Sequence, residues 1–396
     1  MIRHNTYERY QRQIILKEFG PAAQDKLLAA KVLVVGAGGL GCPALQYLAA
    51  AGVGSIGIID FDLVELSNLQ RQTLFTVEDI GKPKAIVATQ KLKLLNPDIQ
   101  IDAYYYKITH KNAWDLLGLY DIILDGSDNF ATRYLLNDAC VLLNKPLVYG
   151  AVLRFEGQVA VFNLQTEQCN YKTNYRDLFP QPPLPHTVPS CNEAGVIGVL
   201  PGIIGTMQAA EVIKIITAIG EPLTNKLLTY NVRNNRFYEF LISPAKSVSI
   251  NIPANKTGFE NFNYEWHCGI ANTQDEITVD EFDELRRKDG VLVMDVREIG
   301  ELPAIDEFQF IQIPLSILEQ RINEISTYKI IVVFCQSGIR SLKAVTIIRA
   351  KTGLEQVYSL KAGIESILPT GAMSCHFISS GLSSTSFAIT LLCVPR

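Results

Sequence analysis

The chain reads as two successive α/β domains, a larger one on a mainly parallel sheet and a smaller one behind it. Three observations carry this. Through residues 1–245 apolar strand-like runs alternate with helical stretches, the pattern of a parallel sheet flanked by helices. A glycine-rich turn, Gly36-Ala37-Gly38-Gly39-Leu40-Gly41, follows the first strand pattern. A second alternation starts at Ile277-Thr278-Val279-Asp280 and runs to about Leu368. A length of 396 residues also exceeds one typical domain.

Taken in order, Lys31-Val32-Leu33-Val34-Val35 is short, β-branched and apolar, a buried strand. Gly36, Gly38 and Gly41 match GxGxxG, which permits a tight turn and close backbone approach to phosphate. Gly39, within the same turn, is counted with them as a nucleotide-binding residue. Leu40 to Ala51 is rich in Ala and Leu and stops at Gly52, so its start presents free N–H groups to an anion. Ser55–Ile59 forms the next strand and delivers Asp60, 24 positions after Gly36 and close to the spacing of a ribose-binding acid. This is a Rossmann-like unit, and by itself it says only that a nucleotide sits here.

Further strands are expected at Asp121–Leu124, Leu147–Tyr149 and Gly157–Phe162, and a long helix at Gly195–Ile219. Between Gln165 and Pro189 a proline-rich loop is too long for a simple connection, so it is read as functional or mobile. Residues 246–274 lack a period and read as a linker; 275–368 form the second domain, with strands Val291–Met294 and Ile330–Phe334. The serine-rich tail, 369–396, carries no amphipathic order and is expected to be disordered.

Composition narrows the class. A net charge of −4 offers no basic footprint for nucleic acid. The apolar run Val196–Ile216 contains Pro201, Gln208, Glu211 and Lys214, so a buried helix is expected and not a membrane span. Met1 to Gln13 is polar and charged, unlike a secretory signal, and eight scattered cysteines fit reduced thiols in a cytoplasm. The five histidines are isolated and lack metal-ligand spacing.

Downstream of Asp60 the chain supplies what phosphate transfer needs. Arg71 can fork onto phosphate oxygens and Lys84 can neutralise a second group. Asp125-Gly126-Ser127-Asp128-Asn129 follows a buried strand, at the sheet edge where ligands bind, and Asp128 can hold Mg²⁺. No GxxxxGK[ST] occurs, which excludes a P-loop enzyme. A NAD-dependent dehydrogenase would explain the turn and Asp60 but leaves Arg71, Lys84 and Asp128 idle.

Over residues 7–242 the ordered motifs resemble the MoeB/ThiF/HesA group, relatives of ubiquitin-activating enzymes. The marks are Arg9-Tyr10-Gln11-Arg12-Gln13, the glycine turn, Asp60-Phe61-Asp62, Ser67-Asn68-Leu69-Gln70-Arg71-Gln72, Gly81-Lys82-Pro83-Lys84, Ser127-Asp128-Asn129 and Asn192-Glu193-Ala194-Gly195-Val196. The resemblance implies ATP-dependent adenylation of the C-terminal glycine of a small ubiquitin-like sulfur carrier. By the same likeness Asp60 binds ribose, Asn68, Arg71, Lys84 and Asn129 line the ATP site, Asp128 serves Mg²⁺, and Arg12 reaches into the partner's site of a homodimer. An inactive scaffold that only binds the carrier is the competing class. Many relatives hold a structural zinc on two CxxC pairs; here Cys169-Asn170-Tyr171-Lys172 breaks the first and no CxxC occurs, so zinc is not expected.

Two cysteines carry functional readings. Cys191, just before the long helix, is either a small buried residue or a nucleophile that forms a covalent link to the carrier, as the resemblance suggests. Phe334-Cys335-Gln336-Ser337-Gly338-Ile339-Arg340-Ser341 joins a strand to a helical stretch, Leu342–Arg349, and such a loop aims backbone N–H groups at an anion. With Asp295-Val296-Arg297-Glu298 it resembles a rhodanese domain, which implies a persulfide on Cys335. Relatives show Gly-Gly and an aromatic where this chain has Lys361-Ala362-Gly363-Ile364-Glu365, so the closing helix is left open. The whole reads as an adenylating domain fused to a sulfurtransferase, fed by a donor such as a cysteine desulfurase. A carrier ending in Gly-Gly for molybdopterin synthesis (MoaD-like) is the first expectation, and thiamine biosynthesis (ThiS-like) or tRNA thiolation the alternative.

Overall fold

The structure, a computed structural model, describes residues 4–165, 171–182, 194–245, 252–268 and 275–367. They fall into two compact units, divided at Cys268 and Gly269. In the first, the helices are α1 His4–Ile14, α2 Gly20–Ala29, α3 Gly41–Ala51, α4 Lys84–Leu95, α5 Ala113–Gly118, α6 Phe130–Leu143, α7 Tyr175–Leu178, α8 Val199–Thr217, α9 Lys256–Glu260 and α10 Tyr264–His267. Its strands are β1 Lys31–Val35, β2 Ser55–Ile59, β3 Gln100–Tyr104, β4 Ile122–Asp125, β5 Leu147–Leu153, β6 Glu156–Phe162, β7 Lys226–Asn231 and β8 Arg236–Leu241.

These strands make one sheet in the order β3-β2-β1-β4-β5-β6-β7-β8. β3 through β5 are parallel, and β5 through β8 continue as antiparallel neighbours. Strand order reverses between β1 and β4, which opens the crevice where open α/β sheets bind ligands. The parallel strands read as apolar runs because both faces are covered; β1 and β2 are buried from their second residue onward. β8 differs: it is exposed along most of its length and carries no such signal. The apolar helix α8 packs on α3 and the sheet and carries two polar side chains inside: Gln208 Nε2 donates to the Asp125 carbonyl (2.7 Å) and Glu211 Oε2 accepts from Leu223 N (2.8 Å).

The stretch read as a linker is partly built into this unit. Phe259 and Tyr264, on α9 and α10, lie in the same core as α5 and α6. Tyr264 donates its hydroxyl to Asp138 Oδ2 at 3.0 Å, and Asp138 also takes Arg176 Nε (2.8 Å) and Nη2 (2.7 Å). Both charged side chains are wholly buried, and the guanidinium lies 4.7 Å from the Tyr134 ring. A local reading misses this because the partners lie 38 and 126 residues from Asp138. The stretch read as a proline-rich loop is thus built in part: α7 lies within it, held by the Arg176–Asp138 pair, while 166–170 and 183–189, with the tail 369–396, lie outside the described residues.

The second unit contains β9 Glu276–Ile277, α11 Val279–Leu285, β10 Val291–Asp295, β11 Ile311–Gln312, β12 Ile330–Phe334, α12 Ile339–Thr352 and β13 Val357–Leu360. Its sheet is parallel, ordered β11-β10-β12-β13-β9. α11 starts on a capping box of Thr278 and Glu281, a pattern visible in the sequence. The closing segment is a short 3₁₀ turn, Gly363–Ser366.

Asp138→Ala strands the buried Arg176 charge and is expected to cost the first unit about 3–5 kcal/mol in urea unfolding, with Tyr264→Phe costing about 1 kcal/mol.

Candidate functional site

At the β1–β4 switch point the glycine turn is fixed by contact. Gly36 has φ +95°, and a Cβ there would stand 2.8 Å from the Gly126 carbonyl oxygen. At Gly41 a Cβ would stand 1.9 Å from the carbonyl oxygen of Gly36, so the helix start lies directly on the turn. Asp60 then ties the crevice together. Its Oδ2 accepts from Ala37 N (2.7 Å) within the turn and its Oδ1 from Asp62 N (2.8 Å). Burial pushes its carboxyl up, and the nearby charge of Lys84 opposes that shift.

Lys84 is buried, donates Nζ to Asp62 Oδ2 at 2.9 Å, and gives its backbone N–H to the Asp62 carbonyl at 3.0 Å. Asp62 therefore links the predicted ribose ligand to the predicted phosphate ligand, a role that the reading of Asp60 alone passes over. Arg71 crosses the turn: a Cβ on Gly39 would lie 3.5 Å from Arg71 Cγ, and Nη1 donates to the Ser67 carbonyl at 3.0 Å. Gln72 sits over Gly38, its Nε2 3.7 Å from where a Cβ would be. Asn68 is buried and closes its own turn with Glu65, while Asn129 caps α6 by accepting from Thr132 N. Asp128 stands exposed at the rim beside Ser127. Beneath it, Asp125 is fully buried and its Oδ1 accepts from both Ser127 N (2.9 Å) and Ser127 Oγ (2.6 Å). Burial pushes that carboxyl up against the charge of Arg133, another residue the sequence reading left out.

Arg12 is not brought to this crevice in its own chain. Its neighbours Tyr10 and Gln13 dock at the far end of α3, against Gly52 and the Ala51 carbonyl. An eleven-residue helix puts that end about 16 Å from the glycine turn.

In the second unit Cys335 begins the β12–α12 loop and is fully buried. Ser341 N lies 3.4 Å and Ser341 Oγ 3.5 Å from its sulfur. Gly338 turns the loop at φ +89°. A Cβ on Gly363 would stand 2.2 Å from the Cys335 carbonyl oxygen, which Ile364 N binds at 2.9 Å, so glycine is required there. Ala362 takes the left-handed region at φ +59°, which glycine adopts without strain. Arg340 forks onto Glu301 (2.7 Å for Nη2), and Arg297 forks onto buried Asp295. Elsewhere, burial pushes the thiols of Cys42 and Cys268 up to about 12. Cys191 and Cys169 lie outside the described residues.

The ThiF family profile matches residues 10–250. The chain belongs to the ThiF family. A rhodanese-like domain profile matches residues 278–369. Among relatives, the sulfur carrier protein adenylyltransferase of Thermus thermophilus is 49% identical over 265 residues, 66% of this chain and 97% of that one. The adenylyltransferase and sulfurtransferase MOCS3 of Arabidopsis thaliana is 38% identical over 387 residues, 90% of this chain and 82% of that one. The crystal structure of Escherichia coli MccB shares the fold, with a TM-score of 0.51 and 23% identity over 61% of this chain and 74% of that chain. The ThiF family uses ATP, and the crevice fits it: a turn that excludes side chains, a buried carboxylate at the end of β2, and two cations alongside.

Glu301 is held near 2, well below its ordinary 4.5, chiefly by the hydrogen bonds from Arg340. A lowered folded value means that the pair's stabilisation is complete above about pH 4.5 and is lost as pH falls toward about 2. Glu301→Gln is therefore expected to flatten the acid limb of the stability–pH curve in that window, measured by thermal unfolding.

Proposed function

We propose that the ThiF-type domain adenylates the C-terminal glycine of a ubiquitin-like sulfur carrier, and that a persulfide on Cys335 then converts it to a thiocarboxylate. The observation that carries this is one chain holding both parts: a phosphate cradle organised by Asp60, and a cysteine loop in a rhodanese-like domain. The relatives' names, sulfur carrier protein adenylyltransferase and adenylyltransferase and sulfurtransferase, support the same pairing.

In the first step a carboxylate oxygen of the carrier attacks the α-phosphorus, the bond to the β-phosphate oxygen breaks, and pyrophosphate leaves. Little proton chemistry is needed, so the work is positioning and charge neutralisation. The turn and the start of α3 receive phosphate oxygens, Asp60 receives the ribose hydroxyls, and Arg71 and Lys84 offset the charge. For Lys84 this means exchanging Asp62 for phosphate. Mg²⁺, where bound, would be held by Asp128 together with phosphate oxygens and would screen their charge. Arg12 serves a second copy's site in a homodimer; its exposure, with its neighbours Tyr10 and Gln13 docked at the far end of α3, supports that arrangement.

In the second step the outer sulfur of the Cys335 persulfide attacks the acyl carbon and AMP leaves. The resulting acyl disulfide is cleaved by an external thiol, releasing the thiocarboxylate and leaving a mixed disulfide on Cys335 for a second thiol to reduce; transfer of the acyl group through a covalent link to Cys191 is the alternative route. A linker keeps the two sites at high effective concentration. A cysteine desulfurase fits as donor, a cytoplasmic location keeps the thiols reduced, and a carrier for molybdopterin synthesis is the substrate we favour over those for thiamine or tRNA thiolation.

ATP–pyrophosphate exchange measured with candidate carriers ending in Gly-Gly is expected to be carrier-dependent, and Asp128→Ala is expected to lower it at least ~100-fold. No exchange with any carrier overturns the adenylation reading. Cys335→Ser is expected to abolish thiosulfate-to-cyanide sulfur transfer; undiminished transfer would place the persulfide elsewhere.

A further inference from the structure

Behind Ser341 stands a second buried hydroxyl, that of Ser359 on β13, and the two share a hydrogen-bond problem with the sulfur. Cys335, Ser341 and Ser359 are all fully buried, so each hydrogen must find a partner among them. Ser341 Oγ lies 3.5 Å from Cys335 Sγ, 2.9 Å from the Gly338 carbonyl oxygen and 2.8 Å from Ser359 Oγ. Ser359 Oγ lies 3.4 Å from the same Gly338 carbonyl. That carbonyl has two lone pairs. Leu342 N donates to it at 3.1 Å, which leaves room for one hydroxyl.

Each serine has a single hydrogen to give. While Cys335 is a thiol, its S–H donates to Ser341, Ser341 donates to Gly338, and Ser359 donates to Ser341. A thiolate or persulfide anion reverses the demand, because the sulfur must now receive a hydrogen. Ser341 can supply it only by leaving Gly338, and Ser359 is the hydroxyl within reach to replace it. We propose that Ser359 is a positioning residue for Cys335: by taking over the Gly338 carbonyl it frees Ser341 to donate to the sulfur anion. The two-hydroxyl relay lets the pocket hold either protonation state without orphaning a buried group. The charged groups around the sulfur come from neighbouring elements: Arg340 of α12 on Glu301, and Asp295 at the end of β10 on Arg297. Serine variants leave these charges in place.

The proposal rests on reading Cys335 as the sulfur carrier, so its test uses a readout that needs no sulfur donor. Alkylation of Cys335 by iodoacetamide in the full chain, followed by mass spectrometry of its peptide, reports the reactive anion as a function of pH. Ser359→Ala is expected to move this profile to higher pH, with a roughly three- to tenfold slower reaction at pH 7, although Ser359 does not touch the sulfur. Ser341→Ala shifts it at least as far, and adding Ser359→Ala to that variant shifts it no further. Ser359→Thr, which keeps the hydroxyl, retains the wild-type profile. A wild-type profile in Ser359→Ala, a shifted one in Ser359→Thr, or an additive double variant overturns the proposal. Failure of sulfur transfer alone, with the alkylation pattern as expected, would instead count against the persulfide role.

Discussion

The carboxylate of Asp60 is the contact on which the nucleotide crevice depends. One oxygen fixes Ala37 in the glycine turn and the other fixes Asp62, which in turn holds Lys84 by side chain and backbone. The turn, the end of β2 and the start of α4 are thereby set by a single buried acid. Desolvation works against its charge, and Lys84 is the compensation. Each Asp60 oxygen spends one lone pair on the backbone and retains capacity for another donor, which is what a ribose ligand requires.

The same device recurs at two other strand ends. Asp125 closes β4 by accepting from Ser127 N, and Asp295 closes β10 by accepting from Arg297 N at 2.9 Å. In all three the acid binds an amide two residues on, turning the chain sharply where a parallel strand meets its functional loop. Each is buried and each faces a cation: Lys84, Arg133 and Arg297. Two unlike domains thus solve one problem alike, holding a loop at the carboxyl edge of a sheet by an acid with a cation nearby.

How much of this was legible follows from how local each signal is. β1, β2 and the turn could be read because doubly covered strands are apolar throughout and because steric demand at Gly36 and Gly41 leaves no other residue. The ends of α3 and α12 fell within a few residues for similar reasons. In the first unit β3, β7 and β8 were missed: β3 and β7 are only partly buried and β8 faces solvent along most of its length, so none shows a doubly covered apolar run. The segment 252–268 read as a linker because its order comes from Phe259 and Tyr264 meeting α6, contacts with no local trace. Asp62, Arg133 and Glu301 are legible only as partners; a charged residue announces no function until its counterpart is placed.

The cysteines show why burial alone does not make a reactive site. Cys42 sits at the start of α3, next to the phosphate cradle, yet its sulfur faces the Ala37 carbonyl at 3.2 Å, an acceptor. Desolvation outweighs the backbone hydrogen bond at Leu74 and the charges of Lys84 and Lys91 there, and the thiol is pushed up to about 12. Cys335 is equally buried but meets the amide and hydroxyl of Ser341, both of which can donate. Position at a helix start is common to both. What Cys335 has in addition is a hydroxyl within reach of its sulfur, and Gly338, whose left-handed turn starts the helix, places Ser341 there.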